Sequence, residues 1–243
     1  MAVAKRLRMF AGPNGSGKST IYDTVKNKYD LGIYVNADDI EIKLNQDKFI
    51  KLLDYKLEGD GKDFPAFLNN HGLYNYARKN GYEVDLSLDE GRIVTSKSKS
   101  NSYEAAILAD YLRTMLVLNG KSLTFETVMS HRSKIEFLKF AQKNGYRNYL
   151  YFVSTDSPEI NRKRVETRVK KGGHPVPVDK IESRYYKSLG NLKEATRHCY
   201  RSFLFDNSEA EFNLILELLQ HKSAYWHTDE INVWVNDIFE DYL

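Results

Sequence analysis

Apolar positions along the chain come in short runs separated by stretches of helical spacing. Leu7, Met9, Phe10 and Ala11 form a run that reads as a buried first strand, and Ile21, Tyr22 and Val25 follow at helical intervals. Ile33-Tyr34-Val35 reads as a short second strand ending in Asn36-Ala37-Asp38-Asp39. Regular alternation resumes at Asn101-x-x-Glu104, a capping box opening a helix with Ala105, Leu108, Leu112 and Met115 on one face and Gly120 at its end. Leu123-Thr124-Phe125 is the next strand, running into Glu126-Thr127. A helix over about 133–143 stops at Asn144-Gly145, and residues 149–153 are the most strand-like run of the chain. Ser157-Pro158 starts another helix. Asp179-x-x-Glu182 caps a further one, striped by Ile181, Tyr185, Leu189 and Leu192. Phe203-Leu204-Phe205 is the last central strand, ending in Asp206-Asn207-Ser208. Residues 212–219 add an edge strand and 233–239 a terminal helix. Strands separated by helices predict an α/β, three-layer fold with a mostly parallel central sheet and helices on both faces.

Residues 41–100 break this alternation and are expected as an inserted, mainly helical segment. A helix bearing Phe49, Leu52, Leu53 and Leu57 precedes Gly59-Asp60-Gly61. A second helix, opened by Pro65 and carrying Phe67, Leu68, Tyr74 and Ala77, ends at Gly81. A hairpin follows, with Val84, Leu86 and Leu88 on one arm, Asp89-Glu90-Gly91 as the turn and Ile93-Val94 on the other, before the basic serine tract at 96–100.

Composition narrows the setting more than the chemistry. Hydrophobic residues make up 42% of the 243 positions and the formal net charge is only +3, so the overall balance calls for neither nucleic acid nor membrane. Cys199 is the single cysteine, which excludes an internal disulfide and fits a reducing compartment. The first strand begins too early for a signal peptide, and no apolar run approaches the ~20 residues of a membrane span. A cytoplasmic protein is expected.

The chemistry is concentrated at strand ends. Gly12-Pro13-Asn14-Gly15-Ser16-Gly17-Lys18-Ser19-Thr20 is a complete phosphate-binding loop in the strand-loop-helix context that such a loop requires. Its glycines let successive N–H groups face a phosphate at a helix N-terminus, Lys18 adds a point charge and Ser19 a hydroxyl for Mg²⁺. A nucleoside triphosphate is therefore the expected ligand. Asp38 and Asp39 compete for the role of general base toward a substrate hydroxyl, and Asp39 equally fits a helix-start cap. Glu126 is placed to bind substrate hydroxyls or water on the metal, or to cap the following loop. Between residues 161 and 201 basic residues outnumber acids. Arg164 and Arg168, four apart, share a helical face, and Gly172-Gly173-His174-Pro175 beyond them resembles the connector of a closing lid. Guanidinium groups on a lid bring positive charge to a transferring phosphoryl group while excluding water. His174 fits either a phosphate contact or a hydrogen bond within its own turn. The chain is accordingly read as one P-loop kinase-like domain over 1–243, with an insertion or cap at about 41–100 and a lid at about 158–190.

Together the loop at 12–20, Asn36-Ala37-Asp38, Phe125-Glu126-Thr127, Arg164-Val165-x-x-Arg168-Val169-x-x-Gly172-Gly173-His174-x-Val176-Pro177, Arg184-Tyr185-x-x-Ser188-Leu189-x-Asn191-Leu192 and Asp206-Asn207-Ser208 resemble the zeta toxin family of P-loop kinases. The likeness covers residues 5–40 and about 102–208 and lies nearest the branch described as predicted ATPases. It implies transfer of the ATP γ-phosphate to a hydroxyl, which in the best-known members belongs to the amino sugar of UDP-N-acetylglucosamine. It implies Asp38 as base, Glu126 and Thr127 as substrate contacts, Arg168 on the phosphates, and His174 or Arg184 as the second lid cation. It also implies an antitoxin-like protein inhibitor as partner.

Two other readings remain. The basic stretch, the tract at 96–100 and the many tyrosines fit a kinase of polynucleotide ends or nucleotides. A partner-driven ATPase or switch is the other, although the chain has no Asn-Lys-x-Asp, no Leu-Ser-Gly-Gly and no apolar strand ending in an obvious Walker-B aspartate.

Overall fold

The computed structural model describes residues 4–173 and 176–242. In chain order, β1 (Arg6–Ala11) and α1 (Lys18–Lys26) precede β2 (Ile33–Val35), α2 (Ala37–Asp47), β3 (Phe49–Lys51), α3 (Phe64–Asn70), α4 (Gly72–Lys79), β4 (Ser87–Asp89), β5 (Arg92–Val94) and α5 (Ser102–Leu118). Then come β6 (Leu123–Thr127), α6 (Ser133–Lys143), β7 (Arg147–Ser154), α7 (Pro158–Lys170), α8 (Val178–Arg197), β8 (Arg201–Asp206), β9 (Asn213–Leu219), β10 (Ser223–Trp226) and α9 (Val233–Phe239). The chain divides into two compact units, residues 1–32 with 124–243, and residues 33–123.

The first unit is α/β. Its strands lie in the order β10-β9-β8-β7-β1-β6. β1 pairs in parallel with β7 and β7 with β8, while β9 and β10 close that side antiparallel. Interior parallel strands are covered on both faces, and β7 shows it: Leu150, Phe152 and Val153 are fully buried and Tyr151 nearly so. One face carries a ring ladder across three strands, with Phe10 stacked on Tyr151 at 4.6 Å and Tyr151 on Phe203 at 5.0 Å. Ile21 of α1 belongs to the same cluster. The register sets Ala11 beside Phe152 and Ser154 beside Asp206. The carboxyl ends of β1, β7 and β8 thus finish in step, and the polar loops after them emerge at one edge. Residues 212–219 are not the edge strand expected from the sequence, because β10 pairs along β9 and takes that position.

The second unit holds β2, α2, the insertion and α5. The capping box is formed: Asn101 Oδ1 accepts from the backbone of Tyr103 and Glu104, and the Glu104 carboxylate accepts from Asn101 N. A small antiparallel sheet runs β3-β5-β4. Here the expected helix through Phe49 and Leu57 is corrected to β3 followed by a 3-10 turn over Leu52–Tyr55. Lys48 and Lys56 both take left-handed backbone angles, φ 68° and 56°, which a continuous helix cannot accommodate. The expected second helix is two helices, parted at His71, whose extended ψ of 122° ends α3.

Candidate active site

The loop between β1 and α1 is built by close approaches that only glycine permits. Gly12 has φ +142°, and a Cβ there would stand 2.0 Å from the Val153 carbonyl oxygen. Gly17 has φ +97°, and its Cβ would stand 2.2 Å from Asn207 Nδ2. The Asn207 amide donates to the Ser16 carbonyl at 2.8 Å, and Gly12 N donates to the Thr127 carbonyl at 3.3 Å. The loop is thereby pinned by the ends of three strands. Lys18 folds back over it, its Nζ donating to the carbonyls of Gly12 and Pro13, both at 2.8 Å. Thr20 N donates to the Gly17 carbonyl in the first turn of α1.

Ser19 Oγ donates to Glu126 Oε2 at 3.1 Å. Hydroxyl and carboxylate are hard oxygen ligands of the type Mg²⁺ prefers, so the pair suits that ion. Among the described residues no cluster of three or more His, Cys, Asp and Glu side chains offers an alternative metal centre. The buried Ser16 Oγ and Asn161 Nδ2, at the loop and at the neighbouring start of α7, have no hydrogen-bond partner. Thr127 Oγ1 accepts from Met129 N at 3.1 Å, shaping the turn that follows the strand.

α8 is fastened to these strand ends by one polar face. Tyr185 Oη donates to the Thr155 carbonyl at 2.6 Å, Ser188 Oγ to the Val128 carbonyl at 2.7 Å, and Asn191 Nδ2 to the Met129 carbonyl at 2.9 Å. Burial pushes the Tyr185 phenol up to about 12, so it stays protonated and donating. Arg184, one residue away, reaches Asn14 Oδ1 of the loop at 3.4 Å. Arg184 is among the residues the sequence singles out, whereas Tyr185, Ser188, Asn191 and Asn207 carry no site-building role in it. The available signal was the spacing of 184, 188 and 191, which puts three polar residues on one helical face. Asp179 lies in the first turn of α8 and is not its cap, which is Pro177.

Arg164 does not point its donors at the loop. Its guanidinium donates to three backbone carbonyls after β8: Asn207 at 2.5 Å, Glu209 at 3.1 Å and Ser208 at 3.4 Å. Arg168 sits in the last turn of α7, where Gly173 N donates back to its carbonyl at 3.0 Å. His174 lies outside the described residues.

Asp38 and Asp39 belong to the second unit, in the exposed first turn of α2, whose cap is the Asn36 side chain accepting from Asp38 N at 2.8 Å. Asp39 is thus not the cap. Burial, and then the neighbouring Asp38 carboxylate, raises the Asp39 carboxyl above its ordinary range.

A largely parallel sheet with a glycine-rich loop joining its first strand to the first helix, and a lysine and serine at that helix start, defines the P-loop class of α/β proteins. The model of the Zeta toxin family matches residues 89–212, just over half of the chain, and the protein belongs to that family. Among solved structures, AvrRxo1-ORF1 in complex with AvrRxo1-ORF2 and sulphate ions is similar at a TM-score of 0.58 and 14% identity, over 99% of this chain and 64% of that one. The same complex with ATP gives 0.57 over the same shares. At 14% identity the likeness is one of fold. An uncharacterized protein of Haemophilus influenzae is 37% identical over 60 residues, 25% of this chain and 43% of the relative. The matches therefore span less than two thirds of the length of these relatives. No helix among the described residues is long and apolar enough to cross a membrane.

Proposed function

We propose that the protein is an ATP-dependent kinase that transfers the γ-phosphate to a hydroxyl of a small molecule, with a nucleotide-linked sugar such as UDP-N-acetylglucosamine as the acceptor class. The observation that carries this reading is the pinned loop with Lys18, the Ser19–Glu126 pair and Arg184 all converging on it. The loop N–H groups and Lys18 hold the phosphates, the lysine exchanging its two carbonyl partners for phosphate oxygens. Mg²⁺, held by Ser19 with Glu126 beside it, supplies charge neutralisation when bound. Arg184 and Arg168 add guanidinium charge as the phosphoryl group moves, and Arg164 acts through Asn207 as a positioning residue. The acceptor oxygen bonds to the γ-phosphorus while the bond from that phosphorus to the bridging oxygen breaks and ADP leaves. The hydroxyl proton passes to Asp38. Glu126 and Thr127 contact the acceptor, and His174 is assigned a substrate-binding role. The AvrRxo1-ORF1 structures are complexes with a second protein, which supports an antitoxin-like inhibitor as partner here. An ATP donor and a single buried thiol, Cys199, fit a cytoplasmic setting.

A second reading, a kinase of polynucleotide ends, is favoured by exposed rings in the second unit. Tyr82 packs 4.6 Å from Tyr103 and Tyr76 6.4 Å from it, a stacking platform of the kind that takes bases. Transfer of labelled γ-phosphate to a panel of UDP-sugars, nucleosides and oligonucleotide ends, with Lys18→Ala as control, separates the two. A labelled UDP-sugar that vanishes in the control supports the first reading. Labelled oligonucleotide ends select the second, and ATP hydrolysis with no labelled acceptor turns the reading to an acceptor outside the panel or to a partner-driven ATPase.

A further inference from the structure

The first unit has a cavity of about 300 Å³ where β7 and β8 begin, at the edge of the sheet away from the phosphate-binding loop. Arg147, Arg197 and Lys222 line it, and no aspartate or glutamate does. The C-terminal ends of α6 and α8 also reach it, through Gln142 and Arg197. Each helix end carries roughly half a negative charge, about one together. Offsetting them takes one of the three cations and leaves a surplus of about two positive charges, the charge a phosphate monoester brings in its dianionic form.

The cavity floor is fixed rather than incidental. Asn148, 1% exposed, donates from Nδ2 to the carbonyls of Leu138 at 2.7 Å and His198 at 2.8 Å, tying α6 to the turn before β8. The Arg147 guanidinium lies 4.8 Å from the centre of the Tyr200 ring, a cation–π contact that restrains it. Nearby acids are already paired: Glu136 and Glu194 are engaged by Lys139, Glu194 also by Arg132, and Asp241, which feels Arg197, is engaged at 2.5 Å by Lys193. Burial, and then Lys139, lowers the His198 pKa, so the imidazole is neutral at pH 7 and contributes hydrogen bonds instead of charge. Its Nδ1 stands 3.3 Å from Gln142 Oε1.

We propose that this cavity binds a small organic phosphate monoester, its phosphate held by Arg147, Arg197 and Lys222 and its carbon body against Tyr200. The site is separate from the loop at 12–20 and does not depend on the kinase reading. Two guanidinium groups grip phosphate oxygens bidentately, which a lysine surface does not.

The test follows backbone amide shifts of the isotope-labelled full chain during titration with ribose 5-phosphate, to about 10 mM so that millimolar affinity is covered. Saturable shifts at residues 147, 198, 200 and 222 are expected, equally in Lys18→Ala. Inorganic phosphate should bind at least about tenfold more weakly, lacking the body that meets Tyr200. Arg147→Gln with Arg197→Gln should weaken ribose 5-phosphate by about tenfold or more, for two charge-assisted contacts. The exposed Lys222→Gln gives the same direction should the double variant not fold. No saturation, shifts confined to residues 12–20, equal binding of inorganic phosphate, or affinity indifferent to all three substitutions would each overturn the proposal.

Discussion

The side-chain nitrogen of Asn207 donates to the Ser16 carbonyl at 2.8 Å and occupies the space that a methyl group on Gly17 would need, 2.2 Å from its ideal position. The two residues are 190 positions apart in sequence and form one fitted contact, by which the end of β8 closes the phosphate loop. An asparagine there satisfies a loop carbonyl, and the glycine opposite exists partly to admit it.

That fit predicts coupling. Gly17→Ala should destabilise the protein by about 2–3 kcal/mol, from about 1–2 for an alanine held left-handed and about 1 for the displaced hydrogen bond. Asn207→Ala should cost about 1 kcal/mol through the unpaired Ser16 carbonyl. Combined, they should cost less than the sum by at least about 0.5 kcal/mol, since the double variant loses the clash with the contact. Denaturant unfolding of the four proteins measures this. Additive losses would mean that the two residues do not act as a pair.

Arg164 and Arg184 should separate kinetically although both were read from the sequence as lid or phosphate residues. Arg164 holds three carbonyls of the segment that carries Asn207. Arg164→Gln should therefore lower thermal stability and raise KM for ATP, with Arg164→Lys recovering only part. Arg184→Gln, which removes charge at Asn14 while leaving the α8 anchors in place, should spare folding and lower kcat by on the order of 10²-fold. A kcat loss for Arg164→Gln with unchanged KM and melting temperature would reverse the assignment.

Much of this was readable from local rules. The capping box at Asn101, proline at the start of α7 and the stop at Asn144-Gly145 each carry their own physical signal within a few residues, and each stands in the structure. The strand at 49–51 was not readable, because three residues are too few to show alternation and their pairing with β5 is made by residues more than forty positions on. The site divides the same way. The loop is local and was complete in the sequence, but Asn207, Ser188 and Asn191 act on backbone carbonyls of other elements. Carbonyls are the same at every residue type, so composition gives no hint of which one a donor will meet.

Asp38 is expected to be required for turnover and not for nucleotide binding. Asp38→Asn should lower kcat by on the order of 10²- to 10³-fold at nearly unchanged affinity for ATP. Glu126→Gln should act on the metal or acceptor side, raising KM for one of them, because the amide oxygen still accepts from Ser19 while the charge is gone. Fluorescent-nucleotide titration alongside the labelled-phosphate assay distinguishes the two variants. Full turnover in Asp38→Asn would end its candidacy as base.

Two carboxylates of the second unit, Asp85 and Asp39, predict opposite responses to pH, and the contrast also tests whether Asp39 shares the role of Asp38. Asp85 Oδ2 accepts from Ser96 Oγ at 2.7 Å, Ser96 N at 2.6 Å and Thr95 Oγ1 at 3.3 Å. The Ser96 hydroxyl, then the Ser96 amide, lowers its carboxyl below the ordinary 3.8. A group whose folded pKa is depressed stabilises above its unfolded value, and that stability is lost as pH falls through the folded value. Asp85→Asn should therefore melt earlier than the parent at pH 7 and converge with it well below pH 3.8. Asp39 has the reverse sign: its raised folded pKa favours folding with the proton on, an advantage present below 3.8 and lost as pH rises through the folded value. At pH 7 the partly desolvated charge beside Asp38 is then a cost, so Asp39→Asn should melt later than the parent there, with the gain fading toward acid. It should also keep its turnover, as the proposed role of Asp38 as base requires. Melting curves from pH 3 to 8 for both variants decide the matter, and an Asp39→Asn protein that is more stable but inactive would move the base from Asp38 to Asp39.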